Sequence, residues 1–181
     1  MSVSFEGCKR ENVKELEVCE LRFNGRPVGR AFYFHGRPPF YPKWIELIYD
    51  PWPRKEGLEV ELFRALAEEL GPGGRLFVVY LKDGKTTGLL YRGFHPVDTP
   101  LGMSLLRAGF TWFKDWYFPE GGAEGGMKLQ ANLPMNDDER VRQLCHLFSE
   151  VRTEEAKRAV EEELRKRGLT ESVCPQGREQ S

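Results

Sequence analysis

Alternation of apolar and polar residues predicts a β-hairpin in the first third of the chain. Two segments, Leu16 to Phe23 and Val28 to Phe34, alternate in the manner of half-buried strands. They are joined by Asn24-Gly25-Arg26-Pro27, and Asn-Gly is the strongest short hairpin signal. A further apolar strand, Trp44 to Tyr49, ends at Asp50-Pro51-Trp52-Pro53, because a proline has no N–H for a ladder hydrogen bond.

The apolar period then changes from two residues to about 3.6. One face of a predicted helix carries Leu58, Leu62, Phe63, Leu66 and Leu70. This helix begins near Gly57 and ends at Gly71-Pro72-Gly73-Gly74. The run from Arg75 to Leu81 is almost continuously apolar, which is typical of a strand buried on both faces, and we expect it beside the strand 44–49. The helix presents unpaired amides at the positive end of its dipole, where an anion is stabilised.

The second half of the chain continues the alternation of helices and strands. Thr99-Pro100 begins a short helix that Gly109 ends, and aromatic strand Phe110 to Phe118 and strand Met127 to Leu133 follow it. The order of elements predicts an α/β (α+β) fold, a mixed central sheet flanked by helices. Period-two alternation places Lys114 and Asp115 on opposite faces of the aromatic strand, so one of these charges must be paired or belong to a site.

Two further helices are predicted after Asn136. The first has an apolar stripe made of Val141, Leu144, Cys145, Phe148 and Val151. Thr153 caps the second, a charged surface helix with the narrow apolar face Ala156, Val160 and Leu164, which Gly168 ends. We therefore expect one domain over 1–135, a helical pair over 136–168 that packs on it or on a second subunit, and a disordered tail over 169–181.

Two segments resemble motifs of the GNAT acyltransferase superfamily. Arg54-x-x-Gly57-x-Glu59 resembles its Arg/Gln-x-x-Gly-x-Gly/Ala signature, and Leu105 to Phe110 resembles its Leu-Tyr-x-x-Gly-Phe segment. The resemblance covers residues 14 to 133 and implies a GNAT-like fold that binds acetyl-coenzyme A. It implies that the cofactor contacts Ile48, Tyr49, Arg54, Lys55, Gly57, Leu58 and Glu59. The alternative for this loop is an ordinary strand–turn–helix unit whose first-turn glutamates offset the helix dipole.

Two positions depart from the superfamily. Glu59 stands where a Gly or Ala would leave room for phosphate, and Leu106 stands where a tyrosine would protonate the departing thiolate. The resemblance implies that Glu46 is the general base. Because Leu106 cannot donate a proton, the departing thiolate would be protonated by water or by another group, for which Tyr91 and Tyr117 are the candidates. The structural alternative is that Glu46 is tied to a lysine or arginine. The strands 44–49 and 75–81 would diverge to form the cleft.

A narrower resemblance involves the segment after Phe113. The run 113–117, followed by Pro119-Glu120-Gly121 and Glu124-Gly125, is similar to an uncharacterised family of GNAT-fold proteins from thermophilic prokaryotes. The glycine-rich loop 119–126 is interpreted either as a hairpin loop or as a lid that carries Glu120 and Glu124 over the acceptor.

The function predicted from these resemblances is acyl transfer from acetyl-coenzyme A to a small-molecule or peptide amine. The alternatives are a non-catalytic GNAT-fold protein that binds a ligand, and an oligomeric interaction protein. The protein would be a monomer or a homodimer. Gly84-Lys85-Thr86 does not complete a P-loop, because Val79 stands where the first glycine is needed. Asp83-Gly84 is instead interpreted as a turn, and Leu89 to Asp98 is predicted as a loop.

Composition excludes several other classes. A net charge of −1 with interspersed signs disfavours a long nucleic acid as ligand. The sequence has neither an apolar run that would cross a membrane nor a signal-peptide core, so a cytoplasmic protein is expected. The cysteines Cys8, Cys19, Cys145 and Cys174 are far apart, so neither a metal site nor a disulfide framework is predicted. Cys19 and Cys145 are interpreted as small core residues.

Overall fold

The computed structural model describes residues 2–11, 15–37, 42–117 and 127–175. Its strands are β1 (Val3–Arg10), β2 (Leu16–Phe23), β3 (Arg26–Phe34), β4 (Trp44–Tyr49), β5 (Arg75–Val79), β6 (Trp112–Tyr117) and β7 (Met127–Asn132). Its α-helices are α1 (Trp52–Lys55), α2 (Glu59–Leu70), α3 (Gly84–Tyr91), α4 (Pro100–Arg107), α5 (Asp137–Glu150) and α6 (Glu154–Arg165). Two 3-10 helices span Pro96–Asp98 and Glu171–Val173. The lid segment 119–126 lies outside the described residues.

The strands form one seven-stranded sheet in the order β1-β2-β3-β4-β5-β7-β6. Within the described residues β4 and β5 are the one parallel pair, and every other neighbouring pair is antiparallel. The predicted α/β class is confirmed. The β2–β3 hairpin also forms as predicted, because Asn24 and Gly25 both take the positive φ that its tight turn requires.

Three elements differ from the sequence prediction. β1 was not predicted, although it pairs with β2 along most of its length. The prolines after β4 end that strand, but they also begin the short helix α1, since proline fits the first helical positions. The segment from Gly84, predicted as a turn and loop, is helix α3, which Asp83 caps by accepting a hydrogen bond from the amide of Thr86.

One sheet face packs against α2 and α4. Its inward positions alternate along β4, where Ile45, Leu47 and Tyr49 are buried. They contact the buried face of α2 and the apolar residues Leu101 and Leu105 of α4. The opposite positions on β4, which include Glu46, remain half-exposed. Alternate side chains of β4 therefore have different surroundings, buried against the helices on one face and partly exposed on the other.

The C-terminal helices enclose a second core. It contains Val97, Met103, Leu106, Leu144, Leu147, Val151, Ala156, Ala159, Val160 and Leu164. The apolar stripe of α5 thus packs against the rest of the same chain. Leu147 is buried, whereas Val141 and Phe148 are only half-buried. The predicted apolar face of α6, Ala156, Val160 and Leu164, is buried in this core, while its charged face is exposed, as expected of a surface helix.

The prediction that the cysteines are unpaired is wrong. A disulfide joins Cys8 to Cys19, and another joins Cys145 to Cys174. Sequence spacing did not reveal the first pair, because β1 was missed and a bulge between Glu6 and Lys9 sets Cys8 beside β2. The second pair holds residues 169–175, expected to be disordered, against α5. Residues 176–181 lie outside the described part of the chain.

Candidate functional site

A buried polar network occupies the point where β4 and β5 end. The Arg54 Nε donates to Oε1 of Glu59 at 3.0 Å, and its Nη2 lies 2.7 Å from Oδ2 of Asp83 as an ion pair. The Tyr49 hydroxyl donates to Oε2 of Glu59 at 2.7 Å. The Thr86 hydroxyl donates to Asp83 at 2.7 Å. Both carboxylates are thus satisfied by neighbours while almost completely buried.

Local sequence explains why these groups meet. Tyr49 occupies the last inward position of β4, and the turn of α1 brings Arg54 back over it. Gly57, with a φ of 73°, takes the left-handed conformation that lets the chain leave α1 and enter α2 at Glu59. Asp83 arrives from the other strand, since it follows β5 and caps α3. Arg54 therefore bridges the ends of the parallel pair.

The charges of this network stabilise one another. Burial alone would raise the pKa of Asp83, but Arg54 and the bonds from Thr86 lower it below the ordinary value. Burial acts to lower the pKa of Arg54, yet its two carboxylate partners raise it overall. Burial and the adjacent Glu59 raise the pKa of Tyr49, so this hydroxyl stays protonated. At neutral pH Asp83 and Arg54 are consequently charged, and Tyr49 is neutral.

The predicted cofactor contacts fall into three groups. Arg54 and Glu59 face inward and bind each other, and Tyr49 joins them, so none of the three is a simple surface ligand. Lys55 and Gly57 are exposed, and Leu58 is the N-cap residue of α2, where no side chain caps the helix. The remaining residue, Ile48, is half-buried on the other sheet face. Helix α2 thus keeps its first amides uncovered by side-chain caps.

Glu46, the predicted general base, forms an ion pair with Lys128. Oε1 of Glu46 lies 2.6 Å from Nζ of Lys128, with both side chains about one-quarter exposed (24% and 22%). This is the structural alternative that the sequence left open. Lys128 also lies 5.6 Å from the centroid of the Phe77 ring, and that ring meets the ring of Trp44 edge-on. Glu46 therefore belongs to a polar pair on a partly exposed aromatic face.

The other two residues predicted to be catalytic lie on different elements from Glu46. Tyr91 lies at the end of α3 and is 70% exposed. Tyr117 is the last residue of β6, and its side chain lies outside the described structure. The expected divergence of β4 and β5 is absent over their paired length, since the register runs from Trp44 opposite Arg75 to Ile48 opposite Val79.

Sequence reasoning missed a buried tyrosine beside this region. The Tyr80 hydroxyl donates to Oδ1 of Asp115 at 2.7 Å. Burial raises the pKa of Asp115, although the hydrogen bond from Tyr80 acts in the opposite direction. The isolated Asp115 in an aromatic strand was the available signal, and its partner could not be identified without the β5–β7–β6 order. Lys114, on the opposite face, lies 3.9 Å from the centroid of the Trp116 ring.

One group of potential metal ligands occurs in the described residues. It consists of Cys8, Glu17 and Cys19, whose ligand atoms lie within 4.8 Å of one another. The two sulfurs are joined as a disulfide, so they offer no thiolate in this state. In the described part of the chain, no helix has the length and apolar character needed to cross a membrane.

Comparisons with known proteins place the chain in a family. A family model described as a protein of unknown function (DUF1122) matches residues 8–154. The chain is similar to the crystal structure of a protein of unknown function, AQ1966, from Aquifex aeolicus VF5. The two are 29% identical with a TM-score of 0.68, and the alignment covers 92% of this chain and 89% of the other. None of the curated proteins matches.

Proposed function

The chain belongs to the DUF1122 family, and we propose that it is an acyltransferase that binds acetyl-coenzyme A where α2 begins. The observation that carries the proposal is the unit β4–α1–α2–β5. A parallel strand pair is connected through a helix whose N-terminus has no side-chain cap. Such an N-terminus stabilises phosphate through its amides and its dipole.

The residues at this helix fit a pyrophosphate. Glu59, which would repel phosphate if it faced the amides, instead accepts bonds from Tyr49 and Arg54 inside the protein. A Cβ placed on Gly57 would meet no atom of the described residues within 4 Å, so these residues leave this part of the loop open. Lys55 adds an exposed positive charge beside it. Arg54 orders the loop, and recognition of phosphate falls to the amides and Lys55.

The half-exposed aromatic face of β4 and β5 is the proposed acceptor side. Bound acetyl-coenzyme A would supply an acyl group activated as a thioester. Glu46 takes a proton from the acceptor ammonium once Lys128 moves away or a water connects the two groups. The free amine would then form the new carbon–nitrogen bond as the carbon–sulfur bond breaks. The nitrogen would lose its second proton to solvent, and the leaving thiolate would take one from solvent, because Leu106 cannot donate one.

A second function, ligand binding without catalysis, is favoured by two observations. Glu46 is already paired with Lys128, and Leu106 is fully buried in the second core. A protein that keeps these two features would bind coenzyme A and leave the acceptor unchanged. The two functions therefore share the first step and differ in turnover.

Calorimetry with coenzyme A tests the shared step. We expect the native protein to bind and Lys55→Glu to bind about tenfold or more weakly, because reversal of a charge near phosphate costs on the order of 1–4 kcal/mol. Lys9→Glu, an equal charge change on exposed β1, is the matched control and should bind normally. Absence of binding by the native protein would contradict both functions.

Turnover separates the two functions. With acetyl-coenzyme A and a panel of amines, an active native protein and a Glu46→Gln variant slower by about 100-fold would support catalysis. Binding of coenzyme A without turnover on any amine would support the second function. Native turnover by Glu46→Gln would exclude Glu46 as the base.

A cytoplasmic location remains part of the proposal. Disulfides are rare in the cytosol of mesophiles but common inside hyperthermophiles. With two disulfides, a cytoplasmic location is therefore consistent only with a hyperthermophilic source. Fractionation of the source cells, followed by thiol labelling of the purified protein, tests it. Recovery from the extracellular or periplasmic fraction would contradict it.

A further inference from the structure

A basic cavity of about 460 Å³ lies at the other end of the strands, away from Arg54 and Asp83. Its wall includes the C-terminal ends of α2, α4 and α6, the first turn of α5, and the two residues that follow β7. Five cationic side chains line it: Arg64, Arg107, Arg140, Lys166 and Arg167. Two carboxylates, Glu68 and Glu163, line it as well. The cavity therefore carries an excess of positive charge.

Only part of this charge is neutralised by carboxylates. Lys166 pairs with Glu163 at 2.6 Å, and Arg167 pairs with Asp137 at 2.5 Å. Among the described residues, no carboxylate lies within ion-pair distance of Arg64, Arg107 or Arg140. Backbone carbonyls at and after the end of α4 offer partial compensation. Nη1 of Arg140 donates to the carbonyl of Gly109 at 2.9 Å, and Nη2 of Arg64 donates to the carbonyl of Arg107 at 3.5 Å.

Arg140 shows that the compensation is incomplete. Its Nε is buried, and within the described part of the chain it has no hydrogen-bond partner. Burial lowers the pKa of Arg140, and the nearby charge of Arg167 lowers it further, against weaker opposing effects of Asp137 and Glu163. A buried donor without an acceptor is costly, and so is a cation beside another cation. A bound anion would relieve both costs.

We propose that this cavity binds a small anion that carries two linked phosphate groups. Guanidinium groups match phosphate oxygens because their N–H donors form a planar fork, and three arginines without carboxylate partners face one concavity. The volume falls within the usual range of small-ligand sites. The apolar wall formed by Ala67, Pro72, Leu133 and Pro134 gives room for an organic group beside the phosphates.

The site is separate from the proposed coenzyme A site. Arg54 and Asp83 lie at the carboxyl ends of β4 and β5, whereas the cavity lies where β5 and β6 begin and β7 ends. The two sites can therefore be tested independently in the same protein, with substitutions in one serving as controls for the other.

Titration calorimetry with inorganic pyrophosphate and with adenosine diphosphate tests the proposal. All titrations are performed at the same low ionic strength, which is adjusted with sodium chloride. We expect native binding, weakened at least tenfold by Arg107→Glu and by the exposed variant Arg64→Glu. Arg158→Glu, an equal charge change at an exposed position on α6 outside the cavity, should bind within twofold of native. Far-UV circular dichroism verifies that each variant is folded.

Each outcome decides the question. If the nucleotide binds more tightly than pyrophosphate, the ligand is an organic diphosphate. If the two probes bind equally, the diphosphate group alone is recognised. Both results support the site. Absence of native binding, or equal weakening by Arg158→Glu, would overturn it. Loss of pyrophosphate binding in Lys55→Glu but not in Arg107→Glu would move the anion to the start of α2 and also overturn the proposal.

Discussion

Arg54 and Arg140 lie at opposite ends of the strands of one sheet and have opposite surroundings. Arg54 meets two buried carboxylates, and a tyrosine and a threonine complete their hydrogen bonding. Within the described residues one buried nitrogen of each arginine lacks a hydrogen-bond partner, but Nη2 of Arg54 lies in an ion pair with Asp83, whereas Nε of Arg140 has no such carboxylate. Arg140 otherwise donates to a carbonyl oxygen and lies near a second arginine. The first arginine is therefore part of the folded framework. The second lies in a region with an excess of positive charge, for which we propose an anionic ligand.

The comparison shows that residue type and motif position do not by themselves identify a phosphate-binding arginine. Arg54 matches a phosphate-loop motif, yet its partners come from within the chain. The arginines of the basic cavity match no motif, because they come from α2, α4 and α5 and converge only in the fold. Counting the carboxylates around each guanidinium separates the two cases.

The largest expected effect follows from removing the compensated arginine. Arg54→Ala leaves Glu59 and Asp83 buried without their cation, so we expect a loss of about 3–5 kcal/mol in the free energy of unfolding. Urea denaturation measures this loss. The control is Arg26→Ala, which breaks the exposed pair with Glu56 and should cost less than about 1 kcal/mol. Similar losses in both variants would remove the distinction between buried and exposed pairs.

A smaller effect is expected from Tyr49→Phe. The substitution keeps the ring packed against Phe63 but removes the hydrogen bond to Glu59. Because that acceptor is charged and buried, the loss in unfolding free energy should be about 1.5–3 kcal/mol. The same urea series measures it. Unchanged stability would indicate that water replaces the hydroxyl, and that the network is more accessible than its burial indicates.

The pH dependence of stability sharpens the comparison further. Asp83 has a lowered pKa in the folded protein, so its contribution is present above the pKa of an unfolded aspartate and is lost as the pH falls through the folded value. The native protein should therefore lose stability steeply below about pH 4. Asp83→Asn should show a shallower decline, as measured by urea midpoints over pH 2 to 7. Parallel curves would mean that another carboxylate controls acid unfolding.

The smallest effect is expected in the basic cavity. Without added anions and at low ionic strength, Arg107→Ala removes one of several neighbouring positive charges and should change the unfolding free energy by no more than about 0.5 kcal/mol. Urea denaturation in a phosphate-free buffer checks this. A loss of several kcal/mol would show that Arg107 is structurally compensated, as Arg54 is.

The sequence predicted those elements whose signals are local. The Asn24-Gly25 turn, the helix after Gly57 and the cap at Thr99 all depend on neighbouring residues, and all are present. The short helix α3 was missed because it contains two glycines and has no clear apolar stripe. The disulfides were missed because each joins segments that only the folded chain brings together.

The site was predicted only in part, for a related reason. Position in a motif indicated Arg54 and Glu59, but not that they would bind each other and Asp83, which lies 24 residues further along the chain than Glu59. Likewise Glu46 was identified, while its partner Lys128 lies on β7 and depends on the strand order. Pairing between distant charges follows from topology, and topology is the least local property of a sequence.

A double-mutant cycle on Arg54 and Asp83 tests most directly whether Arg54 is committed to the framework. The cycle uses Arg54→Met, Asp83→Asn and the double variant, with unfolding free energies measured in urea at neutral pH. Groups in one ion-pair network show coupling of about 0.5–3 kcal/mol, and we predict a value in the upper half of that range. Additivity within about 0.3 kcal/mol would contradict the account and would return Arg54 to the set of candidate phosphate ligands.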